Sequence, residues 1–375
     1  MLKSLEVANY RGFEKYRVEG LARVNLLVGD NGVGKTALLE AAQLLGSFLT
    51  PYALQYITMH RGEFIPGSGG TGPLSEQDAS LAGLFHGRHA APWSTIGIAA
   101  PNEGMSLTLT ILPMADKQAR EHAQLYLDQA VTDAVYMLLI ERVLSGERRD
   151  TTALPLRERM GMSTNAPQYH RQAYVGENPA TTLGPHFLPT ESLNSDGIRQ
   201  FWNELIEQGR DEELVPALSI VLPGTERISC LTERARGDHW GALAGFLVTI
   251  GDGGPPVPLG SLGEGASRML TLAASILAAE RGDLVLIDEI DTGLHYSRLA
   301  NVWHLVTRTA IEHDVQVFAT THSLDCIRGL ASCCESHPEL ASEVALHKIE
   351  PRLDKAVPFP PEDIIIASRQ GIEVR

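Results

Sequence analysis

The segment Gly29–Thr36, with sequence GDNGVGKT, constrains the fold of this chain more than any other feature. It fits the pattern G-x-x-x-x-G-K-[S/T], follows the apolar run Val24–Val28, and opens a helix predicted over Lys35–Ser47. Its glycines allow the backbone to curl so that successive N–H groups converge on phosphate oxygens, and the helix start adds about half a positive charge. We expect the Lys35 ammonium to reach the β- and γ-phosphates of a nucleotide and the Thr36 hydroxyl to ligate magnesium.

A pair of acids closes a second apolar run, in the segment LVLIDEID over residues 284–291. Four consecutive apolar residues are typical of a strand buried on both faces. The carboxyl end of such a strand is where open α/β sheets place ligands. We therefore expect Asp288 to hold magnesium and Glu289 to polarise an attacking water. Two solvated acids at a strand end are the alternative, and the phosphate-binding pattern disfavours it.

Two further segments carry candidate residues. In FATTHS, residues 318–323, His322 directly follows an apolar run and would face the γ-phosphate if the sheet is parallel. In SLGEGASRML, residues 261–270, a turn with glycine runs into an amphipathic helix and makes a second helix start able to bind an anion. Because the chain has one complete phosphate-binding pattern, this second turn suggests a site that another protomer completes.

The order of elements predicts an α/β fold with an insertion. Strand and helix alternate in the last third of the chain, which is typical of a parallel sheet covered on both faces. We predict an N-terminal core half over 1–115, a mainly helical inserted lobe over 116–222, and a C-terminal core half over 223–375. Helical patterns lie at 117–145 and 194–219, whereas residues 51–95 are predicted to be irregular.

Charge limits the partners of this chain. It has 31 basic and 46 acidic residues, so its net charge of −15 does not attract a phosphate backbone over the whole surface. Any contact with nucleic acid needs a local patch or a partner. The candidate is residues 141–171, a stretch that is more often a solvated insertion and that contains Arg142, Arg148, Arg149, Arg157, Arg159 and Arg171.

Cysteine usage and hydropathy predict the compartment. The four cysteines form no C-x-x-C pair, which favours a reduced, cytoplasmic location. The first fifteen residues do not resemble a signal peptide, and no apolar run reaches the ~20 residues that span a bilayer. We therefore expect no membrane association.

The four motifs, in this order, resemble the ABC-type ATPases of the SMC/RecF superfamily. Within that group the chain looks most like bacterial ATPases related to the OLD (overcoming lysogenisation defect) proteins and to anti-phage defence ATPases. Its opening ANYRGFEKYRVEGLARVNLLVGDNGVGKTALLEA is close to that group's pattern. The resemblance extends well over about 1–50 and 190–330 and is loose across 51–190. It implies an ABC/SMC-head fold and ATP-dependent, head-to-head dimerisation around ATP and Mg²⁺.

The resemblance implies a role for each matching residue. Glu289 and His322 match the catalytic positions, Thr36 and Asp288 match the metal ligands, and Asp291 begins the D-loop. Arg11 matches an arginine that lies close to the nucleotide in relatives. The remaining nucleotide-binding positions are the phosphate loop and the signature turn, namely Gly29, Asp30, Asn31, Gly32, Val33, Gly34, Lys35, Thr36, Gly263, Glu264 and Gly265.

The chain departs from the family pattern at several points. Glycine stands at 263 where the signature usually has a serine, and the Q-loop glutamine has no clear match, with His86 in LFHG the candidate. Long heptads and zinc-hook cysteines are missing, so long SMC arms are not expected. About 50 residues follow His322 in this sequence, so we do not expect the TOPRIM nuclease domain that OLD proteins carry after the ATPase.

These features favour a regulatory ATPase that forms a nucleotide-sandwich dimer or larger oligomer. It would control a separate effector, such as a TOPRIM-like nuclease encoded nearby, in anti-phage defence. The alternative is a RecF-like repair ATPase that clamps DNA, and this hypothesis requires a basic stripe that binds the duplex. The ATPase subunit of a transporter is a third reading, which the insertion and the opening motif argue against.

Overall fold

The computed structural model describes residues 1–47, 50–65, 78–124, 133–144, 148–163, 165, 185–190, 195–231, 245–251, 253–372 and 374. Within these ranges, no helix combines the length and the apolar character needed to cross a membrane. Arg171 of the predicted basic stretch lies outside the described residues.

The strands, numbered β1 to β17 in chain order, are Ser4–Tyr10, Phe13–Glu19, Val24–Val28, Ala79–Ser80, Thr95–Ala100, Met105–Pro113, Tyr136–Leu144, Arg148–Arg157, Gly161–Met162, His186–Leu188, Thr225–Cys230, Phe246–Ile250, Val257–Pro258, Leu284–Ile287, Gln316–Thr320, Val344–Lys348 and Val357–Phe359. The helices, numbered α1 to α10, are Lys35–Gly46, Thr50–His60, Lys117–Ala123, Ser195–Glu207, Leu214–Ser219, Glu264–Ala278, Leu299–Glu312, Leu324–Ser336, Pro338–Ala341 and Pro361–Gln370.

A six-stranded sheet in the order β10-β14-β15-β3-β16-β17 forms the centre of the fold. Its first five strands are parallel, and β17 is antiparallel to β16. β3, β14 and β15 are almost entirely buried because helices cover one face of the sheet, and α1 with a second sheet covers the other. The α/β prediction is confirmed, and adjacent strands bring the three predicted motifs to one edge of the sheet.

The second sheet is antiparallel, in the order β2-β1-β5-β6-β7-β8-β9-β4. The helix α1 lies between the two sheets, with Leu38, Leu39, Leu44 and Leu45 in one core with side chains of both. A three-stranded sheet, β11-β12-β13, packs beside α4 and α5. The six-stranded sheet and the second sheet therefore hold α1, the helix that follows the phosphate loop, from both sides.

The prediction of a helix over 117–145 is wrong beyond residue 123, because Tyr136–Leu144 is a strand. A short apolar run such as Met137–Ile140 is compatible with either structure. The segment forms a strand because both of its faces are covered. Leu138 and Ile140 face the core that contains α1, and Met137 and Leu139 face a small core that contains α3. Within the described part of 116–222, strands therefore occur beside the helices, and α4 and α5 confirm the helical pattern at 194–219.

Part of the region predicted to be irregular is a helix. α2 extends over Thr50–His60 and buries Ala53, Leu54 and Ile57. Pro51 stands in its first turn, where the missing N–H has no intrahelical partner to lose. Pro51 therefore marks a helix start, whereas the prediction of irregular structure over 51–95 counted prolines against a helix. The three-part division of the chain stays a prediction, and the pairing of β6 with β7 crosses its first boundary.

His347 provides a pH-dependent test of this core. It lies on β16 with no exposed surface, neither ring nitrogen has a hydrogen-bond partner within the described part of the chain, and burial lowers its pKa to about 4. Because the unfolded chain binds the proton more tightly, stability falls as the pH drops from about 6.5 to about 4, by up to about 3 kcal/mol. We expect the free energy of unfolding of His347→Leu, measured with urea, to lack this decrease between about pH 6.5 and 4.

The control is His89→Leu, which replaces an exposed histidine. Its free energy of unfolding should follow the wild-type pH profile. A His347→Leu profile parallel to that of the wild type would contradict the assignment of a neutral, buried histidine.

Candidate functional site

The phosphate loop joins β3 to α1 and has the glycine conformations that the motif predicts. Gly29, Gly32 and Gly34 have φ values of 143°, 79° and 107°, in the region that residues with a side chain rarely adopt. Space also excludes a side chain at two of these positions, since a Cβ on Gly34 would overlap the Phe13 ring and a Cβ on Gly29 would lie 2.9 Å from the Ile349 carbonyl oxygen. The ring of Phe13 therefore packs directly against the loop at Gly34.

Lys35 is buried in the loop, with 7% of its surface exposed. Its Nζ donates to the carbonyl oxygens of Gly29 and Asp30, at 2.7 and 2.9 Å. Burial lowers the pKa of the Lys35 ammonium, whereas the carboxylates of Glu289, Asp288 and Asp30 act in the opposite direction. The exposed backbone of Asp30, Asn31 and Gly32, with Val33 partly buried, forms the rim of the loop.

Asp288 lies at the carboxyl end of β14 and faces the phosphate loop. The Thr36 hydroxyl is 3.1 Å from both of its carboxylate oxygens. Thr320 Oγ1 donates to Asp288 Oδ1 at 2.6 Å, and Thr190 Oγ1 donates to Oδ2 at 3.3 Å. One carboxylate and one hydroxyl suit Mg²⁺, which is usually held by one or two carboxylates, waters and substrate phosphates. No cluster of three or more metal-binding side chains occurs among the described residues.

Glu289 adopts φ +46°, a left-handed conformation that is costly for a residue with a side chain. Its N–H donates to Thr320 Oγ1 at 2.9 Å, and its Oε1 lies 3.0 Å from His322 Nδ1. Both side chains are partly exposed, at 28% for Glu289 and 47% for His322. The structure therefore joins the two residues predicted to be catalytic, and Thr321 fixes the neighbouring Asp291 by a 2.6 Å hydrogen bond.

A cavity of about 640 Å³ opens over the loop. Residues of the phosphate loop, Asp288 and Glu289 line one part of it, and Arg11, Arg61, Glu63, His86 and Arg88 line the other. A void of this size, with the backbone N–H groups of a helix start at one end and cationic side chains at the other, matches a nucleoside triphosphate in volume and charge.

Arg11 belongs to a buried charge network. Its side chain is 7% exposed, and it pairs with Glu40 at 3.1 Å and with Glu63 at 2.6 Å. Arg61 pairs with the other oxygen of Glu40 at 2.6 Å. Burial raises the pKa of Glu40, and both arginines oppose that shift. His86 Nδ1 lies 3.2 Å from the Arg11 carbonyl oxygen, so the Q-loop candidate borders the same cavity.

The turn Gly263–Gly265 does not line this cavity. It begins α6, and Gly265 packs against the segment after β14, where a Cβ would approach the Gly293 carbonyl oxygen to 3.2 Å. Gly263 has φ +92°, so a serine in its place would be strained. Ser261 lies two residues earlier with its side chain exposed, which means that the turn does carry a hydroxyl.

Comparisons with known proteins agree with this geometry. A family model described as "AAA domain, putative AbiEii toxin, Type IV TA system" matches residues 193–325. An "ATP/GTP phosphatase" of Helicobacter pylori is 23% identical over 87% of this chain and 86% of its own length. The DNA replication and repair protein RecF of Staphylococcus haemolyticus is 24% identical over 87% of this chain and 94% of its own length.

The chain is an ABC-type P-loop ATPase. It has the α/β fold that the sequence predicts, and it is similar to RecF over most of its length. An SMC head domain from Thermotoga maritima aligns with 96% of this chain and 98% of its own at 12% identity, with a TM-score of 0.43. The fold assignment itself follows from the strand order and the phosphate loop of this chain.

Several contacts of this ATPase site were not predicted. Thr320 stands in FATTHS two residues before His322, so its position at a strand end was a usable signal. Thr190, Glu40 and Glu63 belong to no motif and lie far from their partners in sequence, and nothing in the sequence alone pointed to them. Arg268 lies within the predicted segment SLGEGASRML, but no role was predicted for it, and its guanidinium donates to the backbone of Asp288 and Glu289.

Proposed function

We propose that this ATPase binds ATP with Mg²⁺ in the cavity over the phosphate loop and hydrolyses the terminal phosphate. The observation that supports it best is the contact of the Thr36 hydroxyl with both Asp288 oxygens, beside the buried Lys35. These groups come from two strand ends 252 residues apart in sequence, and they converge where the loop presents its N–H groups.

Each residue would have a distinct role. The N–H groups of the loop and Lys35 bind the β- and γ-phosphates, and Thr36 with Asp288 would hold Mg²⁺, which neutralises phosphate charge when bound. Glu289 would orient the attacking water and accept its proton. His322, at 3.0 Å from Glu289, would hold that carboxylate and contact the γ-phosphate.

We further propose that two copies complete each other's sites. The turn with Ser261, Gly263, Glu264 and Gly265 is outside the cavity of its own protomer but starts a helix of fifteen residues. The N–H groups at this helix start, with the Ser261 hydroxyl, would meet the γ-phosphate held by the second copy. In this arrangement ATP joins two heads and hydrolysis releases them.

Ser261→Arg tests the shared site. The residue is exposed, so the larger side chain leaves the protomer intact but obstructs the opposite nucleotide. We expect unchanged ATP affinity and unfolding temperature, and loss of ATP-dependent self-association in light scattering. Turnover should fall by about 10²–10³, the usual effect of removing one contact to a developing charge. Normal turnover with normal self-association would contradict the composite site.

The biological role proposed is regulation of a separate effector, such as a TOPRIM-like nuclease, in cytoplasmic anti-phage defence. The description of the matching family, which includes a toxin of a toxin–antitoxin system, supports a defence role. The net charge of −15 supports a partner other than nucleic acid. The effector is identified by co-purification with the products of neighbouring genes in the presence of ATP.

The alternative is a DNA clamp, which the match to RecF over most of both chains favours. The predicted basic stretch gives it little support, because Arg142 is buried against Ser47 and Thr50, and Arg157 pairs with Asp78 at 2.8 Å. Titration of labelled duplex DNA with ATP present, at low and physiological salt, separates the two roles. Tight, steeply salt-dependent binding favours the clamp, and its absence favours the effector.

A further inference from the structure

Arg268 connects the signature turn to the catalytic edge of the sheet. It lies in the second turn of α6, has no exposed surface, and its guanidinium reaches three backbone carbonyl oxygens. Nη1 donates to Pro189 at 3.0 Å, and Nη2 donates to Asp288 at 3.1 Å and Glu289 at 3.2 Å. These carbonyls follow β10 and β14, two neighbouring strands whose carboxyl ends border the site.

The two carbonyls bonded to Nη2 belong to the peptide groups on either side of the Glu289 Cα. Glu289 has φ +46°, and such a conformation persists only where the surroundings hold it. Because Arg268 binds both flanking peptides at once, it restrains the torsion angles that determine where the Glu289 carboxylate points.

The charge of Arg268 also matters at this position. Within the described part of the chain Arg268 forms no ion pair, and its hydrogen bonds go to backbone carbonyls. Burial lowers the pKa of its guanidinium, whereas the carboxylates of Asp288, Asp291 and Glu264 act in the opposite direction. A buried guanidinium remains protonated and offers five donors in a rigid fork. It therefore places a fixed positive charge behind the acids.

The first turn of α6 contacts the same segment a second time. Gly265 packs against the Gly293 backbone, and a Cβ on Gly293 would lie 3.4 Å from the Glu264 side chain. Arg268 lies one turn further along α6. The helix therefore contacts the segment after β14 at its beginning, through Asp288 and Glu289, and again at Gly293. A shift of the turn therefore moves the peptides that carry Glu289.

We propose that Arg268 is a positioning residue that holds Glu289 for hydrolysis and couples it to the signature turn of the same protomer. Contact of that turn with the nucleotide of the second copy would then adjust the catalytic glutamate of the first, so that the two ATP sites work together. This inference rests on the proposed function, and it identifies Arg268 as the residue that couples the two ATP sites.

The test uses Arg268→Met, Arg268→Lys and the matched control Arg142→Met, which removes another buried arginine far from the acids. We expect Arg268→Met to bind ATP normally and to lose about 10² in kcat, as a misplaced catalytic group does. Arg268→Lys, which keeps the charge without the fork, should lose less. Arg142→Met should lose stability, with kcat unchanged once corrected for the folded fraction.

A double-mutant cycle with Glu289→Gln distinguishes positioning from a general structural effect. If Arg268 acts through Glu289, then Arg268→Met adds no further loss of turnover in the Glu289→Gln background. A further, multiplicative loss would overturn the proposal, as would an equal loss of kcat in Arg142→Met. Where Arg268→Met does not fold, wild-type turnover by Arg268→Lys overturns it. Absence of turnover in the wild type would instead refute the proposed function.

Discussion

Lys35→Ala is expected to weaken ATP binding by about 2–5 kcal/mol, the usual cost of removing one partner of a desolvated charge pair. The ammonium is buried within the loop, so no other side chain of the loop can replace it beside the phosphates. The change also removes a positive charge that interacts with the carboxylates of Glu289, Asp288 and Asp30, so their repulsion toward the triphosphate is less compensated. Calorimetry of ATP binding with magnesium measures the effect directly.

The control for this variant is Lys15→Ala, which removes an exposed ammonium on β2. It should bind ATP with wild-type affinity. Unfolding temperature should be followed in both variants, because Lys35 also bonds two loop carbonyls. Unchanged ATP affinity in a folded Lys35→Ala would refute the assignment of the loop as the phosphate site.

Glu289→Gln is expected to reduce turnover by ~10²–10⁴ while leaving ATP binding intact. The amide keeps the size of the side chain and a hydrogen bond to His322, but it cannot accept a proton from water. Binding should persist because Lys35, Thr36 and Asp288 are unchanged. The variant should therefore accumulate in the ATP-bound assembly, which light scattering with ATP and magnesium detects.

A surface carboxylate provides the comparison. Glu312→Gln on α7 removes an equal charge away from the site and should hydrolyse ATP at the wild-type rate. If Glu289→Gln retained near-normal turnover, the catalytic role would move to another group, and His322 would be tested next. Lost turnover without assembly would keep Glu289 catalytic but would argue against ATP as the switch.

The motifs at strand ends were predictable because each is local. The loop needs its glycines, Lys35 and Thr36 within eight residues of one another, and Asp288 with Glu289 closes a run of four apolar residues. Parallel strands then bring such ends together at one edge, which is why the alignment of these motifs followed from the order of elements alone.

The course of residues 136–157 was not predictable in the same way. An apolar run such as Met137–Ile140 satisfies a helix or a strand, and the choice depends on the free edge of β6 and on the two cores that cover it. The helix α2 was missed because a proline and polar neighbours outweighed the apolar face formed by Ala53, Leu54 and Ile57.

By itself the sequence determined the phosphate loop, the acids and the α/β class, because these depend on neighbouring residues and on backbone torsion angles. Only the tertiary structure decided which polar groups support them. Thr190, Thr320 and Arg268 reach the acids from distant segments, and Arg11 is held by Glu40 and Glu63. A buried polar group must find its partner wherever the packed chain brings one within about 3 Å, and that distance is a property of the fold and not of spacing along the sequence.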